Sequence, residues 1–127
     1  MNDLEQRLIA DVNAILGDGG IAQRNNKRFR FNAQQLDYSI RAASGFCRFD
    51  EKVGRSSINM LQAATGLGKT LAYLVPAFLY AAHTGKRVAV STYTRYLQRQ
   101  ILDKDAVAAG AWVTELTGKS NSGEANW

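Results

Sequence analysis

The sequence predicts an α/β fold: an incomplete parallel sheet built around a phosphate-binding loop and preceded by a helical N-terminal extension. Three observations lead there. Residues 58–70, I-N-M-L-Q-A-A-T-G-L-G-K-T, pass from an apolar segment through small residues to a lysine and a threonine, the order of a buried strand, a tight turn and a new helix. Apolar runs at 87–91 and 111–116 each follow a helical pattern, and two strand-helix-strand crossovers imply parallel strands with right-handed connections. Ahead of both lies an amphipathic helix.

Leu4, Leu8, Val12 and Ile15 recur at steps of four, four and three, one face of a helix that Asn2 or Asp3 can cap and Gly17 can end. Residues 18–30 read as a loop, with Arg24, Lys27, Arg28 and Arg30 around Phe29; such a cluster suits phosphate neutralisation with ring stacking, or simply a solvated face. A second helix is expected over 33–43, capped by Asn32, with Leu36, Ile40 and Ala43 on one face and Gly45 just past its end. Residues 47–57 read as a connecting loop. After the phosphate loop, Leu71, Leu74, Val75, Phe78, Leu79 and Ala82 carry a helix to Thr84 and Gly85, with Pro76 expected to bend it and His83 at its end. A strand over 87–91 leads into a helix over 92–102, capped by Thr92 or Thr94, with Tyr96, Leu97 and Ile101 expected as its buried face. A third strand is expected at 111–116, and 117–127 read as a polar tail.

The chemistry is concentrated in 63–70. Successive backbone N–H groups of such a turn surround a phosphate, and the first amides and dipole of the helix favour negative charge. Lys69 then reaches the β- and γ-phosphates, and the Thr70 hydroxyl completes the coordination of Mg²⁺. Ala63, Ala64, Thr65, Gly66, Leu67 and Gly68 form the cradle, the two glycines allowing close approach. Ala63 stands where the usual motif has its first glycine. Gln35 carries an amide that matches the donor and acceptor on an adenine edge. Ser91, Thr92 and Thr94 fall at the carboxyl end of a predicted parallel strand, where open α/β sheets bind ligands.

Sixteen Lys and Arg against eleven Asp and Glu give a net charge of +5, compatible with a polyanionic partner without requiring one. The lone cysteine, Cys47, excludes a disulfide within these residues and an all-cysteine metal cluster. Neither a signal-peptide pattern nor an apolar run of about eighteen residues is present, so a cytoplasmic protein without membrane partners is expected.

Four blocks together resemble the DinG/XPD-like superfamily 2 DNA helicases: A-Q-Q-L-D-Y at 33–38 is similar to the Q motif, Q-A-A-T-G-L-G-K-T-L-A-Y-L-V-P-A at 62–77 to motif I, S-T-Y-T-R-Y-L-Q-R-Q-I-L-D-K-D at 91–105 to motif Ia, and L-T-G-K-S-N at 116–121 to a block that follows it. The resemblance implies the first part of a RecA-like P-loop NTPase domain over 31–127, behind an N-terminal helix and basic linker at 1–30. It implies ATP and Mg²⁺ as cofactors, with Gln35 at the adenine, Lys69 and Thr70 as catalytic residues, and Ser91, Thr92, Thr94 and Lys119 against single-stranded DNA. The implied activity is 5′ to 3′ translocation and unwinding driven by ATP. No cysteine follows Asn121, which implies a member without an iron–sulfur cluster, such as the CRISPR-associated DinG helicases of type IV systems; residues 1–30 are then expected to meet a CRISPR effector complex or another protein. The sequence stops before an acidic motif II, so an N-terminal portion with little hydrolysis of its own is expected. Two other readings compete: a DNA- or protein-binding module recruited through 1–30 with nucleotide incidental, and a small-molecule kinase on the same loop.

Overall fold

The computed structural model describes residues 2–48, 58–62 and 68–119. These form α1 (Asp3–Leu16), α2 (Ile21–Asn25), α3 (Ala33–Phe46), α4 (Lys69–Thr84), α5 (Arg95–Gln100), a π-helical turn (Ile101–Asp105) and α6 (Ala106–Thr117). Helix α4 is central. It is apolar along most of its length, it packs against α1, α3 and α6, and none of its sixteen residues is exposed. A helix that is hydrophobic all round is stable only when neighbours cover it on several sides. It continues through the buried Pro76, which removes one backbone donor from a helix already enclosed by packing.

Helix α1 is capped as its sequence requires. Asn2 Oδ1 accepts from the Glu5 N–H at 2.7 Å, and Asp3 and Glu5 in the first turn complement the helix dipole. The stripe of Leu8, Val12 and Ile15, joined by Leu16, is fully buried in the core with Leu74, Val75 and Leu79 of α4. Each such side chain contributes roughly 1.5–3 kcal/mol by leaving water. A half-buried pair, Asp11 Oδ2 and His83 Nε2 at 2.6 Å, ties α1 to the end of α4. Part of the expected loop at 18–30 is instead α2, which buries Ile21 and Ala22, and Phe29 beyond it sets its edge on Trp112 at 5.8 Å and 71°.

Helix α3 runs past its expected end to Phe46, with Gly45 inside it. The Phe46 ring stacks on Tyr80 of α4 at 5.5 Å, a contact that carries the last turn where glycine alone favours a stop.

The expected sheet is absent among the described residues. Residues 58–62 have no regular structure, and Ile58 and Met60, expected in a buried strand, are exposed. Residues 87–91 alternate between exposed and half-buried, with Val88 and Val90 half-buried, yet among the described residues no strand pairs with them. A strand exists only through its hydrogen bonds to another, and burial on one side does not supply them.

The expected strand at 111–116 is overturned: it lies within α6. Ala109, Trp112 and Val113 are buried and Leu116 half-buried, spacings of three, one and three that only a helix places on one face. Four alanines in this helix favour it intrinsically. The helix expected over 92–102 begins at Arg95 and passes through the π-helical turn into α6. Of its expected buried face, Ile101 is buried, while Tyr96 and Leu97 are exposed.

Helices α4 and α6 end alike. Thr84 Oγ1 donates to the Tyr80 carbonyl at 2.6 Å, Gly85 follows with φ +71°, and the Lys86 N–H donates back to Thr84 Oγ1 at 3.1 Å. Thr117 bonds the Val113 carbonyl at 2.7 Å, Gly118 has φ +70°, and the Lys119 N–H reaches Thr117 Oγ1 at 3.2 Å. The shared local sequence is T-G-K.

Candidate nucleotide-binding site

The site is built on the first turn of α4 and the first turn of α3. Gly68 precedes α4 with φ +75° and ψ +42°, a left-handed conformation that glycine adopts without penalty. It has no side chain with which to cap the helix, so it leaves the first-turn amides of α4 to other acceptors, the circumstance in which a helix N-terminus takes an anion. Lys69 and Thr70 follow, both partly buried.

Gln35 is brought to this turn from α3. Asn32 Oδ1 accepts from the Gln34 and Gln35 N–H groups at 2.8 and 3.1 Å, which fixes the start of α3. The Gln35 side chain is 4% exposed, and its Nε2 donates to the Gly68 carbonyl at 3.0 Å. A Cβ on Gly68 would stand 2.4 Å from that Nε2. The glycine is therefore required twice, by its backbone angle and by the amide seated against it. Two stretches thirty-three residues apart meet at one hydrogen bond.

Two further residues join the site that the sequence did not single out. Tyr73, one turn along α4, has its phenol close to the Thr70 hydroxyl. Burial pushes the Tyr73 phenol above its ordinary range; the Thr70 hydroxyl works against this, and the nearby Asp105 and Tyr38 add to the rise. Asp105, at the end of the π-helical turn, is itself raised by burial, with Lys104 acting in the opposite direction. The signal for Tyr73 was its i+3 spacing from Thr70; Asp105 carried none, because only the packing of the π-helical turn on α4 brings it near.

Of the residues expected at the phosphates, Ala63, Ala64, Thr65, Gly66 and Leu67 lie outside the described residues, whereas Gln35, Gly68, Lys69 and Thr70 are together. The donor set at hand, a lysine ammonium, a threonine hydroxyl and helix amides, fits a Mg²⁺-bound polyphosphate.

Of the residues expected at DNA, Ser91, Thr92 and Thr94 fall together before α5, and Lys119 lies against the end of α4. Thr92 and Thr94 shape the entry to α5: Thr94 Oγ1 accepts from the Leu97 N–H at 3.1 Å, and Thr92 Oγ1 donates to the Thr94 carbonyl at 3.3 Å. Ser91 is exposed beside them. Lys119 Nζ donates to the Ala82 carbonyl at 3.0 Å, near the far end of α4 and about 20 Å along the helix from Lys69. Cys47 closes α3, its thiol pushed up by burial and by Glu5.

A lysine and a threonine opening a helix behind a left-handed glycine are the phosphate-binding arrangement of P-loop NTPases. Residues 51–124 match the DEAD/DEAH box helicase family, and the chain belongs to that family. It is a family of ATP-dependent helicases with a P-loop NTPase fold, using ATP and Mg²⁺. Among curated proteins, the 3′-5′ exonuclease DinG of Staphylococcus aureus strain USA300 is 51% identical over 49 residues, 39% of this chain and 6% of that protein. The 3′-5′ exonuclease DinG of strain COL matches to the same extent. The chain thus aligns with a small part of the length of these relatives. No solved structure matches it. Among the described residues no helix is long and apolar enough to cross a membrane.

Proposed function

We propose that this chain carries the nucleotide-binding part of an ATP-dependent DNA helicase that moves 5′ to 3′ on single-stranded DNA. The observation that supports it most is the Gln35 amide on the Gly68 carbonyl, which puts a side chain able to read adenine beside the turn that opens with Lys69 and Thr70. In this reading Ala63, Ala64, Thr65, Gly66, Leu67 and Gly68 surround the phosphates, Lys69 holds the β- and γ-phosphates, and Thr70 presents its hydroxyl oxygen to Mg²⁺ with the Tyr73 phenol nearby. Bound Mg²⁺·ATP supplies the phosphoryl group whose hydrolysis drives movement. Ser91, Thr92, Thr94 and Lys119 contact the DNA backbone. The protein works without an iron–sulfur cluster, in the manner of the CRISPR-associated type IV DinG helicases, in the cytoplasm, and residues 1–30 meet an effector complex or other protein partner. The apolar face of α1 is spent on the core, so recruitment falls to the exposed Arg24, Lys27, Arg28 and Arg30.

Titration with Mg²⁺ and a fluorescent ATP analogue tests this reading. Lys69→Ala is expected to weaken binding at least about tenfold, the loss of roughly one charge-assisted contact, with an unchanged helical circular-dichroism spectrum. Equal affinity in the variant would refute the role of Lys69.

A further inference from the structure

Helices α3 and α4 run parallel and touch toward both ends. Gln35 Nε2 donates to the Gly68 carbonyl at their heads, and the Phe46 and Tyr80 rings stack toward their tails. The partners are thirty-three residues apart at the first contact and nearly the same at the second, so one register holds along the pair. On α3 the row Gln35, Ser39, Ala43 advances turn by turn, as Gly68, Ala72, Pro76, Tyr80 does along α4. Ser39 is therefore level with Ala72, and both are fully buried.

Two polar groups at this level lack what a helix normally gives them. The Ser39 hydroxyl is sealed from water and has no hydrogen-bond partner among the described residues. The Gly68 carbonyl accepts from the Ala72 N–H at 3.2 Å, but the next carbonyl in that row, Ala72, falls opposite Pro76, which has no N–H to give. A donor and an acceptor thus stand level across an apolar interface, where an unmade hydrogen bond is costly.

Gln35 shows what would join them. Its amide is the polar tie between the helix heads, and reading adenine draws that amide off the Gly68 carbonyl. Resting on the nucleotide reading above, we propose that Ser39 is a positioning residue: when nucleotide engages Gln35, α3 resettles on α4 and the Ser39 hydroxyl donates to the Ala72 carbonyl, holding the heads together in place of the Gln35–Gly68 bond. One interhelical hydrogen bond is exchanged for another a turn further along. The two arrangements then lie close in free energy, and a ligand that favours one shifts the population toward it.

The tests use the whole chain with Mg²⁺ and a non-hydrolysable ATP analogue. Ala-Tyr occurs once in the sequence, at 72–73, so carbonyl-¹³C alanine combined with ¹⁵N tyrosine gives a single carbonyl-edited resonance, that of Ala72. It is expected to move downfield on saturation of the parent and to stay in place in Ser39→Ala. The same variant should bind the analogue about threefold or more weakly. Its urea midpoint without nucleotide should equal or exceed the parent's, because it loses a buried hydroxyl that had no partner. Pro76→Ala supplies an amide for the Ala72 carbonyl, and in that background Ser39→Ala should change affinity by less than about twofold. The proposal is overturned if Ser39→Ala binds the analogue like the parent, if the Ala72 resonance moves equally in both, or if the affinity loss is undiminished beside Pro76→Ala. A lower urea midpoint with unchanged affinity, the result of a hydroxyl bonded alike in both arrangements, overturns it as well. Analogue binding that depends on Lys69 but ignores Ser39 removes this proposal alone, whereas a parent that binds no analogue removes the nucleotide reading with it.

Discussion

Replacing Gly68 with alanine tests the junction on which the proposed nucleotide site rests. The new Cβ meets two obstacles: a φ of +75°, and Gln35 Nε2 at 2.4 Å. Holding a residue with a Cβ in the left-handed region costs roughly 1–2 kcal/mol. The Gln35 amide lies at the end of a flexible side chain, so it gives way instead of the backbone, and its bond to the Gly68 carbonyl is lost at about 0.5–1.5 kcal/mol. The sum is about 1.5–3.5 kcal/mol, and the urea midpoint should fall by about 1 M or more. Gln35→Ala removes both the bond and the obstacle. In that background Gly68→Ala should therefore cost only the backbone part, leaving a coupling of about 1 kcal/mol between the two sites. Urea denaturation of the parent, both single variants and the double variant measures it. Costs that add to within about 0.5 kcal/mol would show that the two residues do not meet, and the link from α3 to the phosphate turn would be wrong. ATP-analogue affinity in the same four proteins should fall wherever the junction is disturbed.

Trp112→Ala removes a ring buried between α6 and Phe29 and should cost about 3–5 kcal/mol in chemical denaturation; a loss below about 1 kcal/mol would mean that α6 does not pack as described. Asp105→Asn bears on pH. Burial raises the folded carboxyl above its ordinary 3.8, so ionisation opposes folding at neutral pH. The asparagine variant should be the more stable at pH 7, and the difference should close as pH falls through the folded value to 3.8; a variant less stable at pH 7 contradicts the burial of that carboxylate. Asp11→Ala breaks the half-buried pair with His83 and should cost about 1 kcal/mol, with most of that cost absent in a His83→Ala background when thermal or urea unfolding is compared.

The helices of the first half were legible because their signals are local. Asn2 and Asn32 cap through side chains within three residues, and the spacing of Leu8, Val12 and Ile15 names the buried face by itself. The helix over 69–84 was equally plain from its apolar spacing and its Thr84-Gly85 stop, but its central position was not, because a sheet was expected there. Failure came where a short apolar run had two solutions. V-A-V at 88–90 alternates like a strand and half-buries one face, but sequence does not say whether another strand lies alongside. A-W-V-T-E-L at 111–116 is a short apolar run that fits a strand or a buried helix, and the alanines before it belong to the same helix. The decisive signal is the T-G-K that ends both α4 and α6, a repeated stop whose first copy reads as a helix end and whose second reads as the start of a polar tail. Tyr96 and Leu97 have the spacing of a buried face and are exposed, because periodicity identifies a side of a helix without identifying what covers it.

By itself the sequence determined the residues of the proposed phosphate site: a lysine and a threonine at the head of a helix, a glycine before them, and an asparagine-capped helix bearing Gln35. Those features follow from backbone geometry and neighbours a few residues away. Tertiary structure alone decided that Gln35 touches Gly68, that Asp105 comes up beside Tyr73, and that Tyr96 and Leu97 stand in water. Each of these depends on which surfaces meet across tens of residues, a choice made by the burial of apolar faces around α4 and not by any local preference of the chain.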